Sequence, residues 1–201
     1  MRIVAGLFKN RVLVTPKGNF TRPSAEKLRG AFFNICQNYI ENARFLDLYA
    51  GSGAMGLEAL SRGAESAYFI DSHRECIRSI HKNIDALQVQ NRSRVFLGDV
   101  LAIGKKLELQ GMQFDLIFAD PPYNQGEGQR ILDWIDKSPL LAPGGALFIE
   151  EGKENPLLNK SLSSLEFVDS RKMGSISLLY QFNLKTAVSR FNQAKTRELG
   201  E

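Results

Sequence analysis

The chain is expected to fold as an α/β protein, with a mostly parallel sheet, helices on both of its faces and an antiparallel hairpin at one edge. Three observations carry that expectation. Short apolar runs alternate with longer stretches of helical periodicity, as successive βαβ units require. The first of these runs, Phe45-Leu46-Asp47-Leu48-Tyr49-Ala50, leads directly into Gly51-Ser52-Gly53-Ala54-Met55-Gly56, the pattern of a strand, a glycine-rich turn and a helix start. Past Pro156 the alternation stops, and two extended runs meet at Gly174 as in a hairpin. With 201 residues and 43% hydrophobic content, the chain can bury one full core of this kind.

From the N-terminus, Arg2 to Ala5 and Arg11 to Leu13 read as a short β-hairpin, followed by a loop through Pro16-Lys17-Gly18-Asn19. A helix runs from Ser24, its N-cap, to Tyr39. Strands are expected at Phe45 to Tyr49, Ser66 to Ile70, Arg94 to Leu97, Phe114 to Ala119 and Ala146 to Glu150. The edge hairpin pairs Phe167 to Met173 with Ser175 to Phe182. This divides the chain into a basic extension over 1–40, an α/β domain over 41–184 and a polar tail over 185–201, with no internal repeats.

The start of the chain lacks the apolar core of a signal peptide, and no apolar run approaches the length that spans a bilayer, so a soluble cytoplasmic protein is expected. Cys36 and Cys76 lack metal-type spacing and are expected to be reduced and structural, with no metal bound. His73 and His81 fall in a polar helix and are expected to face water. Charge is unevenly spread. Residues 1–30 hold seven basic side chains against Glu26, a net +6 in a chain of +4, so the remainder carries −2. Such an arm suits a polyanion, and Arg2, Lys9, Arg11, Arg22 and Arg29 are its candidate phosphate contacts.

Asp120-Pro121-Pro122-Tyr123 follows the apolar run Leu116-Ile117-Phe118-Ala119, at a strand end where α/β enzymes keep their chemistry. The prolines remove two backbone donors and hold the chain extended, which leaves carbonyl acceptors beside the Asp120 carboxylate. An acceptor-rich corner suits an amino group, and Tyr123 adds a flat face for a planar base. On this reading the ring of Tyr123 matters more than its hydroxyl. Upstream, Ala50, Gly51, Ser52 and Gly53 form a nucleotide-type loop in front of a helix N-terminus. Asp71, with Ser72, ends the second strand and is placed to hold a ribose diol. Asp99, with Val100, follows the third strand and is placed to accept from an adenine amino group. Singly, these acids equally suit a turn cap, a helix N-cap or a solvated loop. Asp47 bears on the ligand's charge: a carboxylate four residues before Gly51 repels a pyrophosphate but favours a sulfonium and an ammonium.

The set Asp47, Gly51-Ser52-Gly53, Asp71, Asp99 and Asp120-Pro121-Pro122-Tyr123 resembles the class I S-adenosylmethionine-dependent amino-methyltransferases. More narrowly, Arg2-Ile3-Val4-Ala5-Gly6, Thr21-Arg22-Pro23-Ser24, Phe32-Phe33-Asn34, Ala50-Gly51-Ser52-Gly53 with Gly56-Leu57-Glu58, and Lys82-Asn83 resemble the RsmD family. The likeness runs from Arg2 to about Tyr180. It implies a Rossmann-like, seven-stranded class I methyltransferase sheet and S-adenosylmethionine as cofactor, with S-adenosylhomocysteine as product. It also implies methylation of guanine N2 in 16S ribosomal RNA, within an assembling small subunit, by a monomer. Asp120, Pro121, Pro122 and Tyr123 then become catalytic, and Asp47, Ala50, Gly51, Ser52, Gly53, Asp71, Ser72, Asp99, Val100 and Asp120 hold the cofactor. Arg22, Pro23, Phe33 and Asn34 match the motif that in the family lies against the cofactor's methionine end and the target base. Three positions depart from the family pattern: Ser24 for Thr, Gly30 where an acid often follows Arg29, and Asn10 where glycine is common. A DNA adenine-N6 methyltransferase, a protein-glutamine methyltransferase, an NAD enzyme and a non-catalytic ribosome-assembly module remain open at this point.

Overall fold

In the central strands an apolar residue faces each side of the sheet in turn, so the sheet must be covered twice, and the helices supply both layers. The computed structural model describes residues 1–16, 25–123, 125–158 and 162–185, excepting the side chains of 25–27. Its strands are β1 (Arg44–Leu48), β2 (Ser66–Asp71), β3 (Ser93–Leu97), β4 (Phe114–Ala119), β5 (Leu141–Gly152), β6 (Leu165–Met173) and β7 (Ser177–Leu184). The helices are α1 (Ala25–Cys36), α2 (Ala54–Ser61), α3 (Arg74–Leu87), α4 (Val100–Leu109) and α5 (Glu127–Ile135). The strand order is β3-β2-β1-β4-β5-β7-β6. The first five run parallel, and β7 inserts antiparallel between β5 and β6. The order reverses between β1 and β4, which opens a crevice beyond their C-terminal ends.

The expected elements are present, with shifted ends. α1 stops at Cys36, three residues before the expected Tyr39, and the expected cap Ser24 lies outside the described residues. α2 begins at Ala54, directly after Gly53 in a left-handed conformation. β5 starts five residues early, at Leu141, and a register irregularity opposite Phe114 to Leu116 absorbs the Pro143-Gly144-Gly145 segment. β6 and β7 enclose Gly174 (φ 64°), Ser175 and Ile176. Of the polar tail, only Lys185 is described; its backbone N–H donates to the Ser164 carbonyl.

Alternation assigns each strand residue to a layer. Phe45, Phe69, Phe118 and Phe148 face the α1–α3 side, while Leu46, Leu48, Ile70, Ile117, Leu147 and Ile149 face the other core. On the first side the Phe32 ring of α1 meets Phe45, Phe118 and Phe148 edge to face, with centroids 5.9, 5.3 and 4.8 Å apart. Gly56 lets α2 lie close to this layer, since a Cβ there would fall 2.3 Å from the Phe69 ring.

The N-terminal extension forms an antiparallel bridge, Arg2 to Val12, and its turn uses left-handed Gly6 (φ 81°) and Asn10 (φ 69°). Asparagine tolerates that conformation better than most residues, so Asn10 can occupy a position where glycine would be the default. The arm is bolted to α2. The fully buried Glu58 carboxylate accepts from Val4 N (2.8 Å) and Ala5 N (2.9 Å), and Ser61 Oγ accepts from Phe8 N (2.9 Å). Arg29 Nε lies 3.4 Å from the same carboxylate and Arg62 Nε 2.9 Å. Replacing Glu58 with glutamine would remove a buried counter-charge shared by Arg29 and Arg62. Glu58→Gln is therefore expected to lower the unfolding free energy by roughly 3–5 kcal/mol, read as a reduced urea midpoint.

Candidate active site

Each of the four central strands carries an acid two residues after its phenylalanine: Phe45 and Asp47, Phe69 and Asp71, Phe118 and Asp120, Phe148 and Glu150. The two-residue period of a strand puts each pair on one face. The phenylalanines pack the core, and the acids emerge at the rim in the wall of one open cavity of about 340 Å³. That volume suits a small ligand. Ala50, Gly51, Ser52, Ser72 and Pro122 also line it.

The glycine loop is held by these acids. Gly51 N donates to Asp71 Oδ2 (2.8 Å), and Asp71 Oδ1 accepts from His73 N (2.8 Å). Asp47 Oδ2 accepts from Gly56 N (3.0 Å) in the first turn of α2. Gly51 (φ 57°) leaves open space where a side chain would stand, whereas Gly53 (φ 78°) faces Ile80 and Phe69 and serves the helix start. Tyr49, also left-handed (φ 61°), reaches from the cavity wall to Glu127, with its Oη donating to Oε2 at 3.0 Å.

Burial raises the Asp47 carboxyl well above its ordinary value, against the lowering effect of the Gly56 N–H, and the charges of Asp71 and Asp120 push it further. Among the described lining residues the basic ones are Arg29, already paired with Glu58, and His73. An acidic cavity of this kind fits a cationic ligand. Asp71, His73 and Cys76 bring a carboxylate oxygen, a ring nitrogen and a sulfur within 4.8 Å of one another. The carboxylate is engaged by two backbone donors, and burial with the Asp71 charge raises the Cys76 thiol to about 12.

Several expected site residues lie elsewhere. Asp99 is exposed and caps α4, accepting from Ala102 N at 2.9 Å, and the Val100 side chain is buried in the α4–α5 core. β3 ends at Leu97 without the phenylalanine–acid spacing, so neither residue reaches the cavity wall. Arg29 corrects the arm's phosphate set: it is 1% exposed, pairs with Glu58 and donates from Nη2 to the Arg2 carbonyl (2.8 Å). A counter-charge for it comes from α2. Arg2, Lys9 and Arg11 are exposed, and Arg11 donates to the Ala86 carbonyl (2.9 Å); Arg22 lies outside the described residues. Pro121 is buried, and Tyr123 lines a separate groove with Gly152, Lys153 and Ile176. The Asp120 to Tyr123 segment thus partitions the acidic cavity from a second concavity. Glu150 was not anticipated from the sequence, although the repeated spacing of phenylalanine and acid marks it.

A family model described as "Conserved hypothetical protein 95" matches residues 1–181. The chain belongs to this family, the RsmD family. Among relatives, "Putative rRNA methyltransferase YlbH" of Bacillus subtilis is 33% identical over 154 residues, 77% of this chain and 84% of that protein. "Ribosomal RNA small subunit methyltransferase D" of Escherichia coli is 32% identical over 157 residues, 78% and 77% of the two chains. The structure of "Putative methyltransferase yhhF" from Escherichia coli superimposes with a TM-score of 0.81 at 27% identity, covering 92% of this chain and 97% of that one. The fold is that of the class I methyltransferases.

A carboxyl that keeps its proton to higher pH when folded supports stability below its unfolded value, and that support is lost as pH rises through the folded value. Asp47→Asn cannot ionise. Without ligand it is expected to melt close to wild type near pH 4 and increasingly above it toward pH 8, in thermal scans across that range.

Proposed function

We propose that this protein transfers a methyl group from S-adenosylmethionine to the exocyclic N2 amine of a guanine in small-subunit ribosomal RNA, of the guanine-966 type. The observation that carries the reading is the Asp120-Pro121-Pro122-Tyr123 partition, with a carboxylate-lined cavity on one side and a groove on the other. The relatives' names supply the ribosomal RNA and the methyl transfer. The amine and the base identity rest on the acceptor chemistry of the loop and on the family resemblance.

Four acids and an open glycine loop fit the sulfonium and ammonium of such a cofactor, which supplies an electrophilic methyl group when bound. Asp47 and its neighbours favour the positive charge, Gly51 admits close backbone approach, and Asp71 is the candidate ribose contact. Asp120 and the Pro121 carbonyl accept hydrogen bonds from the target amine. These bonds draw the nitrogen toward tetrahedral geometry and aim its lone pair across the partition. Orientation is the main contribution of the protein. After the N–C bond forms and the S–C bond breaks, the cationic nitrogen gives its proton to Asp120 or to water. Exposed Arg2, Lys9 and Arg11 of the arm are left to hold phosphates.

The test is transfer of labelled methyl from S-adenosylmethionine to assembled small subunits, bare ribosomal RNA, tRNA and DNA in parallel, followed by nucleoside analysis. N2-methylguanosine in ribosomal RNA is the expected product, and label in DNA adenine overturns the assignment. Asp120→Ala is expected to lose at least about a hundredfold in turnover with little change in cofactor affinity, as removal of an aligning acceptor implies. Equal loss of both removes Asp120 from the amine site.

A further inference from the structure

The four acids of the cavity wall are not level. Strand register sets Asp47 beside Phe69 and Phe118, two residues deeper than Asp71 and Asp120. β4 and β5 instead pair Phe118 with Phe148 and Ala119 with Ile149, and the next residues along that register are Asp120 and Glu150. These two acids therefore stand side by side at the rim, on backbones about 5 Å apart, as neighbouring strands are. Both line the acidic cavity. Glu150 is 2% exposed, and the fully buried Ser177 hydroxyl of β7 donates to its Oε1 at 2.6 Å. A carboxylate accepts through both oxygens, so this bond seats the group and leaves it acceptor capacity.

The row of acids has a direction. The glycine loop and Asp71 belong to β1 and β2, whereas Glu150 lies on β5, on the far side of Asp120. Just past Glu150, Gly152 and Lys153 line the groove that the Asp120 to Tyr123 loop separates from the cavity. We infer that Glu150 accepts the N1–H of the target guanine while Asp120 accepts from its N2 amine, which makes Glu150 the residue that selects guanine. The inference rests on the function proposed above and concerns the same site. Guanine alone among the RNA bases presents a ring N–H next to an exocyclic amine on its Watson–Crick edge. Adenine and cytosine present a ring acceptor there. Two adjacent carboxylates match the guanine edge, whereas a ring acceptor sets its lone pair against Glu150, and burial makes an unmatched acceptor costly. The Asp120 loop by itself selects an amine. Its neighbour on β5 supplies the choice of base.

The experiment measures single-turnover methyl transfer, at saturating S-adenosylmethionine, to small-subunit RNA carrying either guanine or 2-aminopurine at the methylated position. 2-Aminopurine keeps the amine but has a bare ring nitrogen in place of N1–H. Wild type is expected to prefer guanine by at least about thirtyfold. Glu150→Gln, whose amide can donate to a bare nitrogen, is expected to lower that preference by about tenfold, and Glu150→Asp, which withdraws the carboxylate, to lower it in part. The ratio of two substrates on one protein does not depend on how much of a variant is folded, and the intrinsic difference between the two amines cancels between proteins. A preference unchanged in both variants, or equal wild-type rates on the two RNAs, overturns the role of Glu150. A wild type that binds cofactor yet makes no N2-methylguanosine in any RNA overturns the proposed function instead, and the selection role falls with it.

Discussion

A strand shows every second side chain to the same face, and this constraint organises the site. Four adjacent central strands carry a phenylalanine toward their C-terminal ends and, two residues later, an acid. Packing of Phe45, Phe118 and Phe148 against Phe32 of α1, and of Phe69 beneath Gly56 of α2, fixes the face, and the acids then have one direction to point. A one-residue slip in any of these strands would bury its carboxylate in the opposite core. The hydrophobic layer thus sets the electrostatics of the cavity, gathering negative charge where burial has already raised the Asp47 carboxyl.

The second organising element is the Glu58 carboxylate. It accepts two backbone N–H groups of the arm and faces Arg29 and Arg62, so one buried charge joins α1, α2 and the N-terminal hairpin. Asn83 of α3 extends this system by holding both the N–H and the carbonyl of Val14 while donating to the Ser52 carbonyl in the glycine loop. The arm is therefore tied to the cavity wall, to which Met1 itself contributes. The register of this basic surface relative to the cavity is thus set by buried hydrogen bonds.

The Asp120 to Tyr123 loop is stiffened by its own sequence: successive prolines limit the backbone between the acidic cavity and the groove that Tyr123 lines. The glycine loop has the complementary property: left-handed Gly51 leaves room for a ligand, and the side chains of Asp47 and Asp71 anchor the backbone around it.

Helix alternation, the edge hairpin and the acids Asp47, Asp71 and Asp120 were legible from the sequence, because hydrophobic period and glycine placement are local properties; the strand order was not, since it depends on pairing between distant segments. The third strand ends differently from the others. Asp99 follows a strand as the others do, but its carboxylate caps the next helix, a choice made by local backbone geometry. Arg29 counted as one more cation in a basic arm, and only packing against Glu58, twenty-nine residues on, turned it inward. Glu150 needed β7 to be placed beside β5, since its donor Ser177 is twenty-seven residues away. The chain by itself determined which residue types stand at which strand ends. The tertiary structure decided which of those charges are paired, capped or left facing the cavity, because a buried charge is defined by partners that sequence proximity does not supply.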